Sequence, residues 1–135
     1  MISPTELKRV AESIRAELPD VLGVYVFGST ATGSAREGSD VDLAVLAAER
    51  LPALRLWESA QSLACRIGCD VDLVDLRAAS TVMRVQAIAH GERLVCVDAE
   101  ACGAFEDFVY ADFARLNEER AAILADVRKR RTVYG

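Results

Sequence analysis

The spacing of apolar residues divides the chain into alternating helical and extended segments. Leu7, Val10, Ala11, Ile14 and Leu18 recur at three- and four-residue steps, which predicts a helix with one buried stripe. Its start is built from Ser3 as N-cap, Pro4 at the first helical position and Glu6 completing a capping box, with Ile2 and Leu7 placed for a hydrophobic staple. Pro19-Asp20 ends it. Val21–Phe27 is a short β-branched run that predicts a buried strand. From Gly28 to Ser39 there are three glycines and no large apolar side chain, so the segment is either a loose loop or a loop with a short helix starting at Ser29.

Asp40–Leu46 is expected as a second strand. Leu51–Ile67 reads as a helix whose inner face is Leu56, Ala60, Leu63 and Ile67, widened by Trp57 and Ala64 and stopped by Gly68. Cys69–Leu76 is expected as a third strand, with Val71 and Leu73 alternating against Asp70 and Asp72. Ser80 caps a short helix to His90, where a cation suits the helix dipole, and Gly91 ends it. Arg93–Val97 is a fourth strand. From Asp98 the chain is expected to be helical to about Arg131, with Phe105, Phe108, Val109, Phe113, Leu116, Ile123, Leu124 and Val127 as its apolar stripe. The three phenylalanines belong most simply in the core, and a helix this long leaves part of its stripe for a partner. Strands alternating with helices give one α/β (α+β type) domain over residues 1–135.

Composition narrows the function. A net charge of -5 argues against general nucleic-acid binding, which needs a basic surface. No apolar run is long enough for a membrane span, and the N-terminus lacks the apolar stretch of a secretory signal, so a soluble cytoplasmic protein is expected. Cys65, Cys69, Cys96 and Cys102 form no C-x-x-C pair and read as small buried hydrophobes. Arg128-Lys129-Arg130-Arg131 complements a helix C-terminus, or contacts an acidic partner surface or a nucleotide.

The chemistry concentrates between Tyr25 and Leu46. Residues two apart on a strand share a face, so Asp40 and Asp42 project together. Neighbouring carboxylates repel, a cost that a divalent cation removes, and Mg²⁺ takes one or two carboxylates with phosphate and water oxygens. Upstream, Gly28 lets backbone N–H groups approach an anion, and Ser29 adds a hydroxyl donor. A third carboxylate is available from Asp70 or Asp72, positioned to take the proton of an incoming hydroxyl.

Gly28-Ser29, ten residues, then Asp40-Val41-Asp42 resembles the signature of the DNA polymerase β-like nucleotidyltransferases. Across nearly its whole length the chain looks most like the minimal members, the MNT antitoxins of HEPN–MNT toxin–antitoxin modules. The likeness takes in the lead helix, the hairpin, the Val71-Asp72-Leu73-Val74 strand and the Arg115-to-Arg120 segment. It implies a nucleotidyltransferase fold: a small mixed sheet of about four strands flanked by helices, with a long C-terminal helix. It further implies that Gly28 and Ser29 hold the triphosphate, that Asp40 and Asp42 ligate Mg²⁺, and that the third acid is Asp72. Such antitoxins resemble adenylyltransferases that move AMP from ATP to a tyrosine of a HEPN ribonuclease toxin, releasing pyrophosphate, and that associate with it as hetero-oligomers. Many relatives carry Ala-Arg-Gly where this chain has Ala31-Thr32-Gly33, which leaves Arg36 as the nearby basic residue. Two alternatives remain: nucleotide transfer to a small hydroxyl compound, as in antibiotic-modifying enzymes, and inhibition of a toxin by binding alone.

Overall fold

The computed structural model describes residues 2–36 and 38–134. The chain folds as α1 (Pro4–Glu17), β1 (Val21–Phe27), α2 (Gly28–Thr32), β2 (Val41–Ala47), α3 (Ala53–Ile67), β3 (Val71–Asp75), α4 (Thr81–Ile88), β4 (Glu92–Cys96) and α5 (Ala99–Tyr134). The four strands form one mixed sheet in the order β3-β2-β1-β4. β1 runs antiparallel to both β2 and β4, whereas β2 and β3 are parallel, joined by the crossover through α3 that parallel neighbours require. This is the small mixed sheet, flanked by helices, that the resemblance implied.

Strand alternation divides the apolar residues between the two faces of the sheet. Val24, Val26, Leu43, Val45, Val71 and Leu73 meet α1 and α3 on one side. Tyr25, Phe27, Ala44 and Leu46 meet α4 and α5 on the other. Leu7, Val10, Ala11 and Ile14 are buried as their spacing predicted, and each large side chain contributes about 1.5–3 kcal/mol by leaving water. The caps form as read: Ser3 Oγ accepts from Glu6 N at 3.1 Å, Ser80 Oγ from Met83 N at 3.2 Å, and Asp98 Oδ1 from Ala101 N at 3.0 Å.

Several expectations are corrected. α3 starts at Ala53 rather than Leu51, because a residue before proline is pushed out of the helical region and Pro52 itself becomes the N-cap. Trp57 is 60 % exposed: α3 lies over β3, a five-residue edge strand that covers only the strip of Leu56, Ala60 and Leu63. β3 begins at Val71, since Cys69 and Asp70 are still leaving the left-handed Gly68 that ends α3. Of the cysteines only Cys102 is buried, while Cys65 and Cys96 are exposed and Cys69 lies between.

α5, at 36 residues, is about 54 Å long, and it outruns the sheet it packs on. Phe105 and Val109 are buried and Phe113 packs beside them, but Phe108 is 54 % exposed, and Ile123, Leu124 and Val127 are exposed. In the basic run, Arg130 pairs with Asp126 at 3.2 Å, and the side chain of Arg131 lies outside the described residues. Among the described residues no helix is long and apolar enough to cross a membrane.

Candidate active site

β1 leaves the sheet at Phe27, and the chain turns at once through Gly28, whose φ of 69° an L side chain rarely adopts. A short helix, α2, follows and closes on Gly33 in the left-handed region, so the second of the two readings of this loop is the one that forms. The Ser29 carbonyl accepts from Ser34 N at 3.0 Å and Ala35 N at 3.1 Å, and Thr32 Oγ1 donates to the Gly28 and Ser29 carbonyls at 3.3 Å. Arg36 and Ser39 exchange hydrogen bonds of 2.9 Å, which closes the return towards β2.

The return places the acids. Asp40 lies just outside β2, which starts one residue later than expected, and it is exposed. Val41 N donates to the Asp70 carbonyl at 2.9 Å, which sets the parallel register of β2 on β3. That register pairs Asp42 with Asp72, on adjacent strands ~4.8 Å apart. On its other flank Asp42 is paired with Phe27, so it sits directly beside Gly28. A Cβ built on Gly28 would overlap Asp42 Oδ2 and lie 3.2 Å from its Cγ. The glycine therefore serves twice, once for its turn and once for the room it leaves the carboxylate.

The electrostatics follow from this packing. Burial, first, then the charge of Asp72 and that of Asp40 hold the Asp42 carboxyl above its ordinary range. Asp70 is not among the groups acting on it. Asp75, which shares the opposite face of β3 with Val71 and Leu73, is buried and accepts from Leu51 N at 2.9 Å and Arg77 N at 3.0 Å. The structure thus brings Gly28, Ser29, Asp40, Asp42 and Asp72 to one end of the sheet and sends Asp75 into the scaffold.

Among the described residues no group of three or more His, Cys, Asp or Glu side chains is placed as it stands to hold a metal ion. An open set of carboxylate oxygens suits Mg²⁺, which fills its remaining positions with phosphate and water. A dication would also offset the mutual repulsion that raises Asp42.

Two features escaped the sequence. Cavities of about 350 and 240 Å³ lie beside the Gly28–Ser39 loop, both lined by Ile2, Thr30 and Ala35, and none of the three acids borders either. Arg36 lines the smaller one. The first turns of α1 therefore back the loop, a contact no local pattern announces. On the sheet face that carries Asp42, Tyr25 OH donates to Glu106 Oε2 at 3.4 Å, and Arg93 pairs with the same oxygen at 2.9 Å, fixing α5 across the strands.

Comparison with known proteins identifies the family and the fold. The family model for polymerase beta nucleotidyltransferases matches residues 9–100. The protein adenylyltransferase MntA of Shewanella oneidensis is 38 % identical over 119 residues, covering 88 % of this chain and 85 % of that protein. A crystal structure of a toxin–antitoxin with AMP-PNP contains a chain that superposes with a TM-score of 0.78 at 36 % identity, covering 93 % of this chain and 98 % of that one. A chain from the tri-AMPylated Shewanella oneidensis HEPN toxin in complex with MNT antitoxin gives a TM-score of 0.71 at 35 % identity, covering 92 % and 94 %. By sequence and by fold alike, the chain belongs to the polymerase β-type nucleotidyltransferases and, within them, to the MNT antitoxins of HEPN–MNT modules.

Proposed function

We propose that this protein is an antitoxin that transfers AMP from ATP to a tyrosine hydroxyl of a cognate HEPN ribonuclease toxin, releasing pyrophosphate and neutralising the toxin. The observation that carries the reading is Asp42, held against Asp72 and Asp40 beside a glycine that leaves room for its carboxylate. MntA, an adenylyltransferase, and the AMPylated toxin complex support the reaction and the partner.

In the transfer, the tyrosine oxygen attacks the α-phosphorus of ATP, and the bond from that phosphorus to the bridging oxygen breaks as pyrophosphate leaves. Asp72, exposed at the start of β3, accepts the tyrosine proton. Gly28 and Ser29 present the backbone and a hydroxyl to the triphosphate, and Asp40 and Asp42 set the position of the nucleotide relative to the acceptor. Asp40, Asp42 and Asp72 would hold a Mg²⁺ ion, which would supply charge neutralisation on the phosphates. The chain works as one nucleotidyltransferase domain over residues 1–135, in the cytoplasm where ATP and the toxin meet, in a hetero-oligomer with that toxin.

The test is the intact mass of the toxin after incubation with this protein, ATP and Mg²⁺. Added AMP units are expected, and they disappear with Asp40→Ala/Asp42→Ala. A toxin that is inhibited without gaining mass would move the function to binding alone.

A further inference from the structure

Two cysteines that the reaction does not use lie together at the other end of the sheet. Gly23 of β1 is the cross-strand partner of Cys96 at the end of β4, and such partners put side chains on the same face ~5 Å apart. Over that glycine sits Cys102, from the first turns of α5. A Cβ on Gly23 would stand 2.8 Å from Cys102 Sγ, and the thiol is 3.4 Å from the Leu22 carbonyl, its hydrogen-bond acceptor. The same carbonyl accepts from Val97 N at 2.7 Å, which draws the end of β4 against the root of α5. Cys96 and Cys102 therefore both border Gly23, one across the strand pair and the other above it. Both are reduced, Cys96 is exposed and Cys102 is buried.

We propose that Cys96 and Cys102 are an oxidant-responsive dithiol, which a hydroperoxide converts to an intramolecular disulfide joining β4 to the root of α5. The exposed member reacts first. Cys96 sulfur attacks the peroxide oxygen, the O–O bond breaks, and Cys96 becomes a sulfenic acid as the leaving oxygen takes up the thiol proton. Cys102 sulfur then attacks Cys96 sulfur, the S–O bond breaks, and the departing hydroxyl leaves as water with the Cys102 proton. Two thiols are oxidised by two electrons, and hydrogen peroxide is reduced to two waters.

The division of labour follows from the surroundings. Burial, first, and then the neighbouring Cys96 push the Cys102 thiol up to about 11, so it is a poor first nucleophile and suits the resolving position. Gly23 is what admits the pair, since any side chain there would occupy the place of Cys102 sulfur. Cys65 and Cys69 belong to the α3 end of the opposite face and are not in reach of either thiol.

The test uses the full chain, treated with hydrogen peroxide and then alkylated. The expected product is lighter by two hydrogens before alkylation, and peptide mapping finds Cys96 linked to Cys102 with Cys65 and Cys69 alkylated. Dithiothreitol reverses the change. In Cys102→Ser, Cys96 stops at a sulfenic acid that a 1,3-dicarbonyl probe traps. In Cys96→Ser, an exposed and structurally mild change, Cys102 stays unoxidised under the same treatment. Recovery of Cys96 and Cys102 both alkylated after the oxidant has consumed Cys65 or Cys69 overturns the proposal, as does oxidation of Cys102 in Cys96→Ser.

Discussion

Replacing Gly28 by alanine separates the two reasons for a glycine at that position. The backbone there has φ 69°, which costs an L residue about 1–2 kcal/mol, partly offset by about 0.4–1 kcal/mol from the stiffer unfolded chain. Gly68, at the end of α3, has φ 73° and nothing within 4 Å of an added Cβ, so Gly68→Ala carries the backbone strain alone. For a chain of 135 residues the net cost, near 1 kcal/mol, lowers Tm by roughly 4 °C. At Gly28 the methyl also overlaps Asp42 Oδ2, and the carboxylate has to swing away. A displacement of about 1 Å in a reacting group costs on the order of 10²-fold in rate. Thermal melts should therefore show comparable losses for the two variants, while AMP transfer to the toxin falls by about two orders of magnitude only in Gly28→Ala. Transfer by Gly28→Ala within a few-fold of Gly68→Ala would refute the coupling between the turn and the acid.

Asp42→Asn should unfold at a higher temperature than the wild type at pH 7 without divalent cations. Burial and two acidic neighbours raise the folded-state pKa of Asp42, so ionisation costs stability as pH rises through the carboxylate range, and the advantage of the variant should vanish below that range. Adding Mg²⁺ with a non-hydrolysable ATP analogue should stabilise the wild type and leave Asp42→Asn nearly unchanged, which calorimetry can read. On α3, Leu63→Ala removes a side chain 1 % exposed and should cost about 2–5 kcal/mol in denaturant unfolding. Trp57→Ala, six residues earlier and 60 % exposed, should stay within about 0.5 kcal/mol of wild type. Asp75→Ala strips the acceptor from Leu51 N and Arg77 N and should lower the urea midpoint by the equivalent of about 1–3 kcal/mol with an unchanged slope.

Local chemistry made much of this fold readable. Ser3, Ser80 and Asp98 declare helix starts because a short oxygen-bearing side chain satisfies a free backbone N–H wherever the chain enters a helix. The strands are nearly as plain, β1 in its β-branched run and the others in short apolar stretches between turn residues. What the pattern does not carry is how far one element covers another. Trp57 and Leu56 are adjacent on the same apolar arc, and only the narrowness of the β3 edge decides that Leu56 is half-buried and Trp57 exposed. The same holds for α5, whose stripe continues past the point where the sheet ends. At the candidate site the spacing of Gly28, Ser29, Asp40 and Asp42 is a local fact, whereas the place of Asp72 depends on a parallel register that pairs it with Asp42 across a helical crossover. From the sequence, Cys96 and Cys102 read only as small buried hydrophobes, and they come together because Gly23 on a third element leaves the space.

AMP transfer at the cluster of Asp40, Asp42 and Asp72 is tested most directly with ATP labelled on either the α- or the γ-phosphate, incubated with this protein, Mg²⁺ and the toxin. Label from the α-position should appear on the toxin, label from the γ-position should leave with pyrophosphate, and neither should transfer with Asp42→Asn. Toxin labelled from the γ-position, or α-label transferred undiminished by Asp42→Asn, would contradict it.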